Sequence, residues 1–142
     1  MSTGPVIEGI VETILYADDL PRAVAFYREV LGLRPMGGDG RRFQAFNAGG
    51  RQALLIFQRG ATLEPLALPG GGVIPAHDGR GPHHLGLAIT HDAYGPWVER
   101  LRAAGVAIES EVIWERGSRS VYFRDSEGNA LELVTPGLWP NY

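Results

Sequence analysis

The chain contains no cysteine and no lysine. The first absence removes disulfides, thiolate metal sites and a cysteine nucleophile together. The second removes Schiff-base chemistry and a lysine general base, and it leaves all 13 basic charges to arginine. Long apolar runs are missing too. Nothing approaches the ~20 residues of a membrane-spanning helix, and no signal-peptide pattern opens the chain, so a cytoplasmic location away from the membrane is expected. The net charge of −3 offers no basic footprint, and nucleic acid is not an expected partner. What remains is ordinary globular material. Its 142 residues are 44% apolar and 20% charged, enough for a core in one domain spanning residues 1–142.

The strongest internal signal is a duplication. Glu12–Leu33 (ETILYADDLPRAVAFYREVLGL) reads strand, turn, helix, glycine stop, and His84–Val106 (HLGLAITHDAYGPWVERLRAAGV) reads the same way. In the first copy the strand is expected over Val6–Tyr16. Asp18, Asp19 and Pro21 then supply an acidic helix cap followed by proline in the first turn. Val24, Tyr27 and Leu31 recur at helical spacing before Gly32, and Trp97, Leu101 and Ala104 do so before Gly105. Strands are expected over Phe43–Asn47 and Gln52–Gln58 in the first half. The second half should add Glu109–Trp114, Ser120–Arg124 and Ala130–Thr135.

Glu12 and His84 are 72 positions apart, while Gly50 and Gly128 are 78 apart, so only small insertions separate the halves. Each half is one β-α-β-β-β unit, an N-terminal module over 6–60 and a C-terminal module over 82–137. Between them, 61–81 loses periodicity and is rich in glycine and proline, as befits a link or a functional loop. Gly70, Gly71 and Gly72 lack the strand-to-helix setting and the lysine of a phosphate loop.

Three runs carry a wider resemblance: DLPRAVAFYREVLGL at Asp19–Leu33, GPHHLGLAI at Gly81–Ile89 and SVYFRDSEGNALELV at Ser120–Val134. With them the chain resembles the vicinal oxygen chelate superfamily, which includes glyoxalase I, fosfomycin resistance proteins, extradiol dioxygenases and bleomycin resistance proteins. The resemblance implies an α+β fold of two paired β-α-β-β-β modules that form a cupped half-barrel around a divalent metal. It also implies metal residues on the first and last strand of each module. Carried over position by position, these are Glu12, His84 and Glu132. The fourth place falls on Leu54, or on Leu55 after a one-residue slip, and neither binds a metal. Glu12 stands where many members carry histidine or glutamine, so the two-histidine, one-carboxylate iron triad is incomplete.

Each ligand taken alone has an ordinary explanation, since strand glutamates are usually solvated and lone histidines are usually hydrogen-bonded neutral residues. Together the case is stronger. Leu85, Leu87 and Ile89 alternate on one face, which turns His84 to the other, and Leu131 and Leu133 set Glu132 apart in the same way. Buried carboxylates facing one another need a cation. Two carboxylates and an imidazole suit one Mn²⁺, Fe²⁺, Zn²⁺ or Ni²⁺ and do not choose among them. Three protein ligands leave positions open for water or substrate.

Glu12, Glu132 and the linker histidine His77 are candidates for moving a proton. Phe43, Phe46, Trp114, Tyr122 and Trp139 are candidates for an aromatic pocket, and Arg119 for an anionic substrate group. His83 is expected to face away from His84, and His91 to lie at a helix start on the surface. The leading expectation is a glyoxalase-like metalloenzyme that chelates two neighbouring oxygens of a small substrate. Isomerase, lyase or epimerase chemistry is favoured over ring cleavage. The alternative is a metal-free protein that sequesters a drug or metabolite in the same cup. Exposed sheet edges, with the resemblance, point to a homodimer. Whether modules pair within a chain or across the dimer stays open.

Overall fold

The computed structural model describes residues 4–142. Each half folds in the same order. The first gives β1 (Glu12–Ala17), α1 (Leu20–Ala25) continuing into a π-helical turn (Phe26–Val30), β2 (Arg34–Gly38), β3 (Phe43–Asn47) and β4 (Ala53–Gln58). A small hairpin, β5 (Leu66–Ala67) and β6 (Val73–Ile74), follows inside the linker. The second half gives β7 (His84–Ala88), a 3-10 turn (His91–Ala93), α2 (Tyr94–Ala103), β8 (Ile108–Ile113), β9 (Arg119–Arg124) and β10 (Ala130–Val134). The result is an α+β fold with two open four-stranded sheets, ordered β1-β4-β3-β2 and β7-β10-β9-β8. No helix among the described residues is long and apolar enough to cross a membrane.

Strand alternation sets which face of each sheet is buried. Leu15 and Ala17 of β1 and Leu54 and Ile56 of β4 face inward with Leu20, Ala23 and Tyr27 of the first helix. Val121, Phe123, Leu131 and Leu133 do the same beneath Tyr94, Val98 and Leu101 of α2. All belong to one apolar core, so the helices and inner faces of both halves are packed together. Polar links also cross between the halves. The Tyr27 hydroxyl donates to Asp125 Oδ2 at 2.6 Å, Arg100 Nε donates to the Val30 carbonyl at 2.8 Å, and the Asp18 amide donates to Glu127 Oε1 at 2.6 Å.

The first helix starts as its sequence dictates. Asp19 caps it by accepting from the Arg22 amide at 3.1 Å, with Pro21 in the first turn. Gly32 ends it at φ +69°, the left-handed conformation that a side chain resists. Several expectations are corrected. The first strand begins at Glu12, not Val6, and Val6, Ile7, Ile10 and Val11 are exposed. β2 has the sequence RPMGG, whose proline and glycines disguise it, and every one of its residues is exposed. The linker holds a hairpin where only irregular chain was expected.

Candidate metal and substrate site

In each half the first strand runs parallel to the last and beside it. That pairing decides what His84 and Glu132 can reach. β10 pairs with β7 so that Ala130 faces His84 and Glu132 faces Gly86. Glu132 lies two residues beyond Ala130 on the outer face, and its side chain turns back over Gly86. A Cβ at Gly86 would stand 3.4 Å from Glu132 Cγ and 3.5 Å from Oε1, so the carboxylate packs directly over the glycine backbone.

The imidazole is fixed at both nitrogens. His84 Nδ1 lies 3.0 Å from the Ala130 carbonyl oxygen, which only accepts, so Nδ1 carries a proton. Nε2 lies 3.0 Å from Glu132 Oε1. The His84 side chain is 55% exposed and the Glu132 side chain 9%, so the carboxylate is recessed and the imidazole stands over it. Glu132 Oε2 is buried and has no hydrogen-bond partner among the described residues. Tyr122, opposite Glu132 on β9, stacks near His84 with ring centroids 6.2 Å apart. Burial, and then the Glu132 carboxylate, push the Tyr122 phenol above its ordinary range, keeping it neutral beside the pair.

These observations fit a divalent cation. A ligating histidine usually donates its other ring N–H to a carbonyl, as Nδ1 does here. An orphaned buried carboxylate oxygen is the atom such a cation would satisfy.

Glu12 does not join them within one chain. It lies on the other sheet, and among the described residues no three His, Cys, Asp or Glu side chains gather closely enough to hold a metal. Within one chain the three expected ligands therefore form two separate groups. The cause is topological: β1 and β7 are edge strands of separate sheets, joined through the core rather than along an edge. The register also resolves the fourth position. Glu12 corresponds to His84, so Ile14 corresponds to Gly86, and Ile14 pairs with Leu55 as Gly86 pairs with Glu132. Leu55 is the counterpart of Glu132, and Leu54 is core.

The outer face of the first sheet carries a cavity of about 560 Å³, whose lining includes Glu12, Ile14, Tyr16, Leu55, Phe57 and His77. Phe43 and Arg42 border it too. Phe43 stacks on Phe57 with centroids 5.1 Å apart. The linker closes one side and brings His77 to the Tyr16 hydroxyl, 2.7 Å from Nδ1. Buried Thr62 clamps that stretch, accepting from the His77 amide at 2.9 Å and donating its hydroxyl to the His77 carbonyl. Gly79 allows the chain to lie on the Tyr16 ring, where a Cβ would come within 2.6 Å of it. Thr62 escaped the sequence reading, since the linker has no periodicity to reveal its packing, and Tyr16 was read only as a residue of the first strand.

The remaining candidates fall elsewhere. Phe46 is fully buried against Tyr27 in the core. Trp114 donates its indole N–H to the buried Ser120 hydroxyl at 2.9 Å. The Arg119 guanidinium lies over the Tyr94 ring, 3.9 Å from its centroid. Trp139 is 63% exposed near the C-terminus. His91 is exposed at the start of its 3-10 turn, and His83 Nε2 is buried without a partner among the described residues.

Comparison with known proteins agrees with this architecture. Residues 9–133 match the Glyoxalase/Bleomycin resistance protein/Dioxygenase superfamily, and the chain belongs to it. It is similar to a lactoylglutathione lyase from Agrobacterium tumefaciens, at 35% identity and a TM-score of 0.82, covering 94% of this chain and 98% of that one. The fosfomycin resistance protein FosX from Mesorhizobium loti shares the fold at 22% identity and a TM-score of 0.64, with 94% and 96% covered. A FosX variant from Listeria monocytogenes, solved with Mn(II) and a dihydroxypropylphosphonic acid, does so at 22% identity and a TM-score of 0.68, with 94% of each chain covered.

Proposed function

We propose that the chain is a divalent-metal-dependent enzyme working as a homodimer, with His84 and Glu132 of one copy and Glu12 of another holding the metal. The observation that carries the reading is the His84–Glu132 pair. Nδ1 is held on a carbonyl, Nε2 faces a recessed carboxylate, and the second carboxylate oxygen is buried without a partner. Glu12 lines a cavity on a separate sheet and needs a second copy to meet that pair.

When bound, the metal would grip two neighbouring oxygens of a small substrate and stabilise negative charge on them. The protein's own groups supply the rest. Glu12 and Glu132 are the carboxylates placed to accept and return a proton. His77 is not, because Tyr16, its partner, lies four residues along β1 from Glu12, ~13 Å at strand spacing. The apolar walls nearest the reacting end come from Ile14 and Leu55 and would limit water there. This supports isomerase, lyase or epimerase chemistry, the class to which the similar lactoylglutathione lyase belongs.

Metal analysis of protein purified without chelator or nickel resin tests the reading. Near one divalent ion per chain is expected, falling sharply in both His84→Ala and Glu132→Gln. Equal metal content in all three proteins defeats it. The Phe43–Phe57 stack favours a second reading, a metal-free protein that sequesters aromatic compounds. Melting that chelator leaves unmoved, with aromatic ligands bound equally well, would decide for that alternative.

A further inference from the structure

The cavity on the first sheet has two chemically different ends. Strand register fixes their order. Glu12 pairs with Ala53 at one end, Ile14 with Leu55 in the middle, and Tyr16 with Phe57 at the other. Phe57 pairs in turn with Phe43, so Arg42 stands at the Tyr16 end, ~13 Å along the strands from Glu12.

That far end is built to donate hydrogen bonds. Arg42 is half-buried, and its guanidinium makes one bond there, Nη1 to the Ala61 carbonyl at 3.2 Å. It has no ion-pair partner among the described residues. Neither nearby carboxylate forms an ion pair with Arg42. Asp39 Oδ1 accepts from the amides of Arg41, Arg42 and Phe43, and Asp78 Oδ1 accepts from the Gly60 amide at 3.1 Å.

Tyr16 and His77 add a second donor. A neutral phenol and a neutral imidazole carry two polar hydrogens between them, and their mutual 2.7 Å bond uses one. If the phenol donates to Nδ1, Nε2–H is left. If Nδ1–H donates to the phenol, the phenolic hydrogen is left. Either way one donor has no partner among the described residues. Burial keeps the phenol protonated, with the Asp78 charge adding to the effect.

We infer that this end is an anion-recognition subsite, and that the substrate is elongated: two neighbouring oxygens at the Glu12 end, an apolar middle, and a carboxylate or similar anionic group held by Arg42 and the Tyr16–His77 pair. The apolar middle lies against Ile14 and Leu55, with Phe57 beyond them toward Tyr16. A guanidinium without a counter-ion beside an apolar cavity has donors free to take a carboxylate in charge-assisted hydrogen bonds. The inference shares with the proposed function the premise that this cavity receives substrate, and it does not depend on the metal.

The test is calorimetric titration of the full chain as purified, and again after chelator, with 4-phenylbutyrate and its uncharged amide as probes. The acid should bind about tenfold or more tightly than the amide in both preparations. Arg42→Gln should remove that preference while Arg42→Lys keeps part of it. Tyr16→Phe combined with His77→Phe should weaken the acid about three- to tenfold and the amide little. Melting curves would confirm that each variant folds. Equal affinity for acid and amide, no detectable binding of the acid, or a preference that survives Arg42→Gln overturns the assignment. Acid binding that vanishes with chelator overturns it as well and leaves the metal reading standing. Preserved binding in protein that never holds metal defeats the metal reading alone.

Discussion

Glu132 reaches His84 across the bare backbone of Gly86. Its Cγ lies 3.4 Å from where a Cβ would be, at the close edge of ordinary contact. A methyl there asks little, but the branched side chain of Gly86→Val must displace the carboxylate. The expected outcome is metal affinity lowered about tenfold or more, read by titration with Mn²⁺ or Co²⁺, with a melting temperature close to wild type in chelator. Unaltered affinity would mean that Glu132 does not ligate from this position. The complementary change is Glu132→Leu. It removes a recessed charge whose second oxygen has no partner, so in chelator stability should not fall below wild type, while metal uptake is abolished. A loss of apo stability would argue that the carboxylate is structurally satisfied. At this scale the sequence was informative where alternation applied. Leu131 and Leu133 set Glu132 apart, and the duplication paired Glu12 with His84. It was silent on Leu55 against Leu54, because that choice depends on how β1 pairs with β4 at an offset of 41 positions, a register no local pattern encodes.

The elements show where periodicity misleads. Val24, Tyr27 and Leu31 read as an ordinary helix, yet the segment from Phe26 winds as a π turn, with the Leu31 amide bonded to the Phe26 carbonyl five residues back. The widened turn carries Tyr27, which donates to Asp125 in the β9–β10 turn. It also carries the Val30 and Glu29 carbonyls, which Arg100 of α2 satisfies. Its cause is tertiary, so the intervals in the sequence did not reveal it. Tyr27→Phe should cost about 1.5–3 kcal/mol, the range for a hydrogen bond to a charged acceptor. It should also alter the response to alkali. Burial, and then Asp125, hold the Tyr27 phenol well above its ordinary value of 10.0. A raised folded value means that this bond contributes fully below pH ~10 and is lost as pH climbs through the folded value. Tyr94, pushed up to about 12 by burial and Glu111, adds a second loss between its ordinary 10.0 and about 12. Denaturant melts at pH 8 and pH 11 should show stability falling with pH, with a shallower fall in Tyr27→Phe. Parallel falls in both proteins would remove Tyr27 from the account.

Over the whole molecule, the proposed function asks one chain to supply two half-sites. The family match and the α+β architecture were legible in the duplicated modules, because helix caps, glycine stops and strand alternation repeat in both. What could not be read was that the shared core draws the inner faces together and leaves Glu12 and the His84–Glu132 pair on separate sheets. That separation gives the dimer a definite chemical test. A chain carrying Glu12→Gln keeps the His84–Glu132 half and spoils the other, while a chain carrying His84→Ala does the reverse. Each expressed alone should bind metal poorly. Co-expressed in equal amounts, half the dimers formed at random are mixed, and each mixed dimer of two-fold symmetry has one wild-type site and one doubly altered site. About a quarter of all sites should then recover metal, and activity toward any substrate the wild type turns over should recover in proportion. The bound ion should also raise the melting temperature of the mixed dimer above that of either parent, since a ligand held only by the folded assembly stabilises it by mass action. Light scattering on the same samples checks that dimers are present. Dimers that show no recovery would mean that Glu12 of one copy does not meet His84 and Glu132 of the other. In that event the metal would be held by the His84–Glu132 half alone, and Glu12→Gln by itself would leave metal content at the wild-type level.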